Sequence, residues 1–310
     1  MKKSPFYAQA ALMLKCVPAI AEESCFAMKG GTAINMFIQS MPRLSVDIDL
    51  TYVPIEDRDT SLAKLTEALE RISKKIEQSI PKSKVNKTKR DGRLIKLVVS
   101  TSEAKIKIEP NEVLRGTTAP PIMMDLVKAA EDLFEMSVRM PIVPMADLYG
   151  GKICAALDRQ HPRDLFDVKM LLDNDGFNDE VRKGFLVFLA SHDRPMQELL
   201  NPNLKSISEI YNKEFKDMTE EIVSLEELYK ARENLIQKIK KSLIDDEKDF
   251  LLSLKSTKPK WDLLGLPNIE KLPGIQWKLM NIKKMSTEKR NEQIKKLEKV
   301  LNFSSINSDG

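Results

Sequence analysis

The spacing of apolar residues changes period along this chain. From Val46 to Leu50 apolar and acidic residues alternate strictly, the two-residue period of a strand with one buried face. Residues 94–101 and 104–109 read as two more strands. In the second, Ile106 and Ile108 share one face, and Lys105, Lys107 and Glu109 share the other. Residues 55–80 carry a charged helical pattern between them. A strand-like run, 25–29, ends at Gly30-Gly31, and a helical stretch, Thr32 to Gln39, follows. Residues 7–23 read as a helix broken near Pro18, because proline cannot donate to the ladder. From Met145 onward the period is helical. Residues 145–158 form one helix, Pro162 is placed to open another, and 183–191 and 225–243 continue the pattern. The prediction is an α+β fold, with a mixed-sheet domain over 1–140 and a mainly helical domain over 141–310. Pro141 and Pro144 mark the boundary, and Pro110 is expected to end regular pairing of the third strand.

Composition narrows the class. The 310 residues are 42% hydrophobic and 31% charged, enough to bury a large core. A net charge of +4 excludes a protein coated in basic residues but leaves room for a local basic groove, for which Lys238 to Lys241, Lys283-Lys284 and Lys295-Lys296 are candidates. Three cysteines without CxxC spacing and two histidines argue against a zinc site or a disulfide framework. The longest apolar run, Phe185 to Ala190, is too short to span a bilayer, so no membrane association and a cytoplasmic location are expected. Trp261, Trp277 and Leu263-Leu264 are expected to pack the tail onto the body, with Trp277 in the core, and Ser304 to Gly310 to fray.

The candidate chemistry lies where glycine and acid cluster. Glycine is scarce, 11 residues, about half the usual ~7%. Four of these form the pairs Gly30-Gly31 and Gly150-Gly151. Doubling so scarce a residue points to positive φ or to close backbone approach. Strand, Gly-Gly and helix start can present free N–H groups to an anion, with the Thr32 hydroxyl beside them; the same residues can equally form a tight turn with no ligand. Asp47 and Asp49, on one strand face roughly 6.6 Å apart, repel unless a cation bridges them. Glu109 can join that face if its strand lies alongside. Three carboxylates opposite a glycine cradle suit Mg²⁺ (or Mn²⁺) and a nucleoside triphosphate.

Lys29-Gly30-Gly31-Thr32-Ala33, followed by Arg43-x-Ser45-x-Asp47-Ile48-Asp49-Leu50, resembles the signature of the AbiEii/AbiGii toxin nucleotidyltransferases, within the DNA polymerase β-like superfamily. The resemblance continues at Lys152-x-x-Ala155-x-x-x-Arg159-x-x-x-Arg163-Asp164-x-x-Asp167 and covers about residues 25–175. It implies a polymerase β-like sheet, metal ligation by Asp47, Asp49 and Glu109, and triphosphate contacts at Gly30, Gly31, Thr32, Arg43, Ser45 and Lys152. Asp164 would orient the lysine. Glu109 would also help activate the attacking hydroxyl, although Pro110 stands where relatives more often carry a β-branched residue. MenT-like members transfer nucleotides to the tRNA 3′ end and arrest growth until a cognate antitoxin intervenes. The resemblance therefore implies an RNA acceptor, an antitoxin partner and a role in toxin–antitoxin or phage-defence systems. In some relatives the antitoxin phosphorylates the serine matching Ser45, which would add roughly −2 charge beside the acids.

The residues of the second block leave two readings open. Lys152 and Arg159 share a helix face, and Asp164 and Asp167 lie near the start of the next helix, where their charge suits its dipole. The block is either a salt-bridged corner between helices or a means of positioning a catalytic lysine. A non-catalytic nucleotide- or partner-binding module on the same fold is the alternative to the enzyme.

Overall fold

The computed structural model describes residues 1–174 and 176–301; the frayed end expected at 304–310 lies outside them. The chain divides into two compact units, Met1–Pro144 with Lys213–Val223, and Met145–Asn212 with Ser224 onward. A continuous split after residue 140 does not include the return of Lys213–Val223 to the first unit.

The first unit contains α1 (Tyr7–Ala21), β1 (Phe26–Lys29), α2 (Gly30–Ala33), a π-helical turn (Ile34–Ile38), β2 (Ile48–Tyr52), α3 (Arg58–Ser79), β3 (Lys84–Arg90), β4 (Arg93–Ser100), β5 (Lys105–Asn111), β6 (Ile122–Asp125), α4 (Lys128–Phe134) and β7 (Arg139–Ile142). Its mixed seven-stranded sheet has the order β3-β4-β5-β2-β1-β7-β6. β1 runs antiparallel to β2, and β2 runs parallel to β5. Ile48, Leu50, Ile106 and Ile108 are buried under α1 and α3, which pack on the sheet. Asp57 starts α3 by accepting from the Thr60 N–H at 2.9 Å, and Leu62, Leu65, Leu69, Ile72 and Ile76 form its buried stripe.

Two expectations change, and three strands were not foreseen. α1 passes through Pro18 unbroken. Pro18 sits on the exposed side of the last turn, and burial of Cys16, Val17, Ala19 and Ile20 around it outweighs one lost hydrogen bond. Pro110 does not end β5, since it pairs with Leu50 and Asn111 pairs with Thr51. β4 accompanies β5 only as far as Leu97–Ile108, so Pro110 lies where β5 has one neighbour and a missing N–H on the open side breaks nothing. β3, β6 and β7 lack the alternation that reveals a strand. β3 is a charged edge, Lys84 to Arg90, whose lysines discourage further pairing.

The second unit is built from α5 (Met145–Asp158), α6 (Pro162–Asn174), α7 (Asp179–Ser191), α8 (Met196–Leu200), α9 (Ser208–Glu214, whose last two residues belong to the first unit), α10 (Leu225–Ser242), α11 (Asp245–Lys255), α12 (Pro273–Lys283) and α13 (Thr287–Leu301). Gly150 and Gly151 lie inside α5. A Cβ on Gly150 would meet the Gly184 carbonyl carbon of α7 at 2.5 Å, and one on Gly184 would overlap the Ala146 carbonyl. Gly150, with Gly184, therefore serves backbone-to-backbone helix packing, while Gly151 makes room for the Phe188 ring, 3.0 Å from where its Cβ would stand. Trp261 packs on Phe250, ring centroids 6.1 Å apart, but Trp277 is 43% exposed on α12 rather than in the core.

Candidate active site

The first unit gathers most of the residues singled out from the sequence. Asp49 lies on β2, its Cα opposite Lys29 of β1 and opposite Glu109 of β5. Asp47 precedes β2 by one residue and is partly exposed like Asp49, while Val46, Ile48 and Leu50 are buried. The alternation read from the sequence thus sets the acids on one side. Parallel pairing of β2 with β5 adds the third carboxylate beside the second.

Both glycines of the first pair are explained by what crowds them. Gly30 has φ +72°, and a Cβ there would meet the Asp49 Oδ2 at 2.5 Å. A Cβ on Gly31 would overlap the Arg43 guanidinium and would lie 3.4 Å from the Ser45 Oγ. The glycines thus let the backbone close onto a carboxylate on one side and a guanidinium on the other. The turn after Ala33 is π-helical, with the Gln39 N–H donating to the Ile34 carbonyl at 2.8 Å, where a regular helix was expected.

Thr32, Arg43 and Ser45 lie deeper than expected for residues that greet a triphosphate. Thr32 is 1% exposed; its hydroxyl donates to the Asp47 carbonyl at 2.5 Å and hydrogen-bonds the Ser45 hydroxyl at 2.8 Å. Arg43 is buried and donates from Nη1 to the Leu44 carbonyl at 2.9 Å. The returning segment clamps this loop. Arg43 forms a bridge with Thr219, the Leu44 N–H donates to the Met218 carbonyl, and the Glu220 N–H donates to the Pro42 carbonyl. These residues hold the loop that aims Asp47. The segment itself, polar and without period, gave no signal of this part.

The donor set suits a hard cation, since three carboxylates offer only oxygen. Among the described residues, however, no three His, Cys, Asp or Glu side chains converge closely enough to form a ready metal cluster. Glu109 instead pairs with Lys96 of β4 at 2.8 Å, with its side chain 40% exposed. An ion pair that open to water is worth about 0–1 kcal/mol and yields to a divalent cation. Lys96 was missed, although the period of its strand puts it opposite Glu109. The residues therefore fit a cation at Asp47 and Asp49, with Glu109 joining once it leaves Lys96.

The second unit brings the other block together. Lys152 Nζ lies 2.9 Å from an oxygen of Asp164 and 2.9 Å from one of Asp167. All three side chains are at most 5% exposed. Arg159 adds Nε and Nη2 bonds to Asp164 at 2.5 and 2.9 Å. Burial alone would raise the Asp164 carboxyl, but the charges of Lys152 and Arg159 and their hydrogen bonds outweigh it and hold the carboxyl well below the usual range. The salt-bridged corner is real, and it fixes Lys152.

Comparison with known proteins bears on the fold and the family. A solved structure of MenT4, a nucleotidyltransferase toxin from Mycobacterium tuberculosis, superposes with a TM-score of 0.61 at 14% identity, covering 89% of this chain and 92% of that one. Among curated proteins none matches. The family model described as nucleotidyl transferase AbiEii toxin, type IV TA system, matches residues 12–278. The chain therefore belongs to the AbiEii family of toxin nucleotidyltransferases.

Proposed function

We propose that the first unit transfers a nucleoside monophosphate from a nucleoside triphosphate to a hydroxyl at the 3′ end of tRNA, with Mg²⁺ or Mn²⁺. In the cell it acts, on this reading, as a growth-arresting toxin of a toxin–antitoxin or phage-defence system, restrained by a cognate antitoxin in the cytoplasm. The observation that carries the reading is the register Asp49–Glu109, with Asp47 two residues upstream and Gly30 closed onto the Asp49 carboxylate. The acceptor oxygen attacks the α-phosphorus, the bond to the β-phosphate oxygen breaks, and pyrophosphate leaves. Glu109 takes the acceptor's proton. A divalent cation, when bound, offsets the charge that develops on the attacking and leaving oxygens. Asp47 and Asp49 hold that cation, and the Thr32–Asp47 hydrogen bond keeps the first of them in place. Lys152 and Asp164 enter the proposal through the family resemblance, as triphosphate contact and its orienting partner. Ser45 is buried beside Thr32, so phosphorylation there requires the 43–47 loop to lift.

The test is incorporation of an α-³²P-labelled nucleotide into total tRNA, with and without divalent cation. Label should enter RNA only with cation, and Asp47→Asn should abolish it. Transfer that survives Asp47→Asn, or that proceeds in chelator, would overturn the assignment.

A further inference from the structure

We propose that the second unit carries a cleft that binds the ribose–phosphate backbone of a single RNA strand. The cleft has a volume of about 380 Å³, is half open to solvent, and lies between α8, the start of the loop that follows it, α10 and α13. Among the described residues its cations are Arg194, Lys240, Lys296 and Lys299, and its acid is Glu198. Arg194 is spent, because Nη1 pairs with Asp158 at 2.6 Å and Nη2 with Glu198 at 2.9 Å. The one positive charge of Arg194 is shared by two carboxylates, which leaves that group one net negative charge against the three lysines of the lining. Lys296 has only an exposed pair with Glu292 one helical turn away, at 2.6 Å, worth a few tenths of a kcal/mol. Lys299 has no acidic partner among the described residues. Lys240 Nζ donates to the Asn201 amide oxygen at 3.2 Å. Lys278, buried, donates to the carbonyls of His192 and Arg194, each at 2.5 Å. Lysines from two helices far apart in sequence, Lys240 on α10 and Lys296 and Lys299 on α13, converge on a cavity the size of one nucleotide, as a phosphate backbone needs.

Gln197 points to RNA in particular. Its side chain lines the cleft and is 7% exposed. Its Nε2 donates to the Gln293 Oε1 at 2.5 Å, while its own Oε1 has no hydrogen-bond partner among the described residues. A buried acceptor left unmet is costly, and a ribose 2′-hydroxyl is a donor that would satisfy it; DNA has none. A small polyphosphate would use the lysines but not this amide.

The inference rests on the reading of an RNA acceptor, and the experiment separates the two. Binding of a fluorescent 12-nucleotide RNA, and of DNA of the same sequence, is followed by anisotropy from 0.05 to 0.3 M KCl. The proteins are the full chain, Lys296→Gln/Lys299→Gln and Gln197→Leu. Removing two phosphate contacts should lower the slope of log K against log [salt] by about 1.4, and should weaken RNA binding about 25-fold at 0.1 M salt, taking 1 M as the point where the electrostatic contribution vanishes. Gln197→Leu should remove a preference for RNA over DNA of about fivefold. Should the double variant not fold, Lys240→Gln gives the same slope test for one contact. An unchanged slope, or tripolyphosphate competing as well as RNA, overturns the proposal. Wild-type protein that binds RNA through these lysines but adds no nucleotide to it sinks the acceptor reading and spares the cleft. Protein that adds nucleotide, with variants that bind RNA undiminished, does the reverse.

Discussion

Gly30→Ala separates positioning of Asp49 from simple stability. A side chain at φ +72° costs about 1–2 kcal/mol in the left-handed region. Beyond that, the new Cβ would stand 2.5 Å from the Asp49 Oδ2, 3.2 Å from its Cβ and 3.3 Å from its Cγ. Ordinary contact begins at 3.4 Å, so the carboxylate must retreat by roughly 1 Å. The Asp49 Cβ cannot follow freely, because β2 is held between β1 and β5. A misplacement of ~1 Å at a reacting group costs on the order of 10²-fold in rate. The expected result is turnover down ~100-fold, with a stability loss of about 2 kcal/mol. That loss lowers the melting temperature by roughly 4–8 °C for a unit of this size. Gly92→Ala is the control: its φ is +76° and nothing lies within 4 Å, so it shares the backbone cost without the collision. Labelled-nucleotide incorporation and thermal denaturation of both variants decide the matter. Gly30→Ala within threefold of wild-type turnover, or Gly92→Ala equally inactive, would refute the reasoning.

Asp49→Asn should lower incorporation at least ~10²-fold while leaving the melting temperature near that of wild type, since the side chain is partly exposed. Gly184→Ala should destabilise by about 1–3 kcal/mol in urea titration. Overlap with the Ala146 carbonyl opposes a helix-propensity gain of ~1 kcal/mol, and a stabilised variant would disprove the close crossing of α5 and α7. Asp164→Asn leaves Lys152 with one carboxylate and should cost about 3–5 kcal/mol, read as a lower urea midpoint. Because the folded Asp164 carboxyl titrates below its unfolded value of ~3.9, its stabilisation is complete above about pH 4 and is lost as pH falls through the lower folded value. Urea midpoints between pH 5 and 2.5 should therefore fall more steeply for wild type than for Asp164→Asn; parallel curves would show the pair to be inert.

What the sequence determined by itself is local and periodic. The two-residue alternation at Val46–Leu50 already assigned Asp47 and Asp49 to the polar face, since successive side chains on a strand must point opposite ways. Scarce glycine doubled at Gly30-Gly31 pointed to positive φ or close backbone approach, and the spacing of Lys152, Asp164 and Asp167 admitted a salt-bridged corner beside a positioned lysine. Tertiary structure decided what no local pattern encodes. It paired β2 with β5 so that Glu109 stands beside Asp49, tied Glu109 to Lys96, and brought Lys213–Val223 back across the 42–44 loop. It also carried α1 through Pro18, let β5 run through Pro110, and seated Gly150 against Gly184 at a helix crossing. The physical reason is common to all of these. Periodicity reports which face of an element is buried, whereas neighbours, and the cost of one missing hydrogen bond or one extra methyl group, are set by residues far away in sequence that packing brings within a few ångströms.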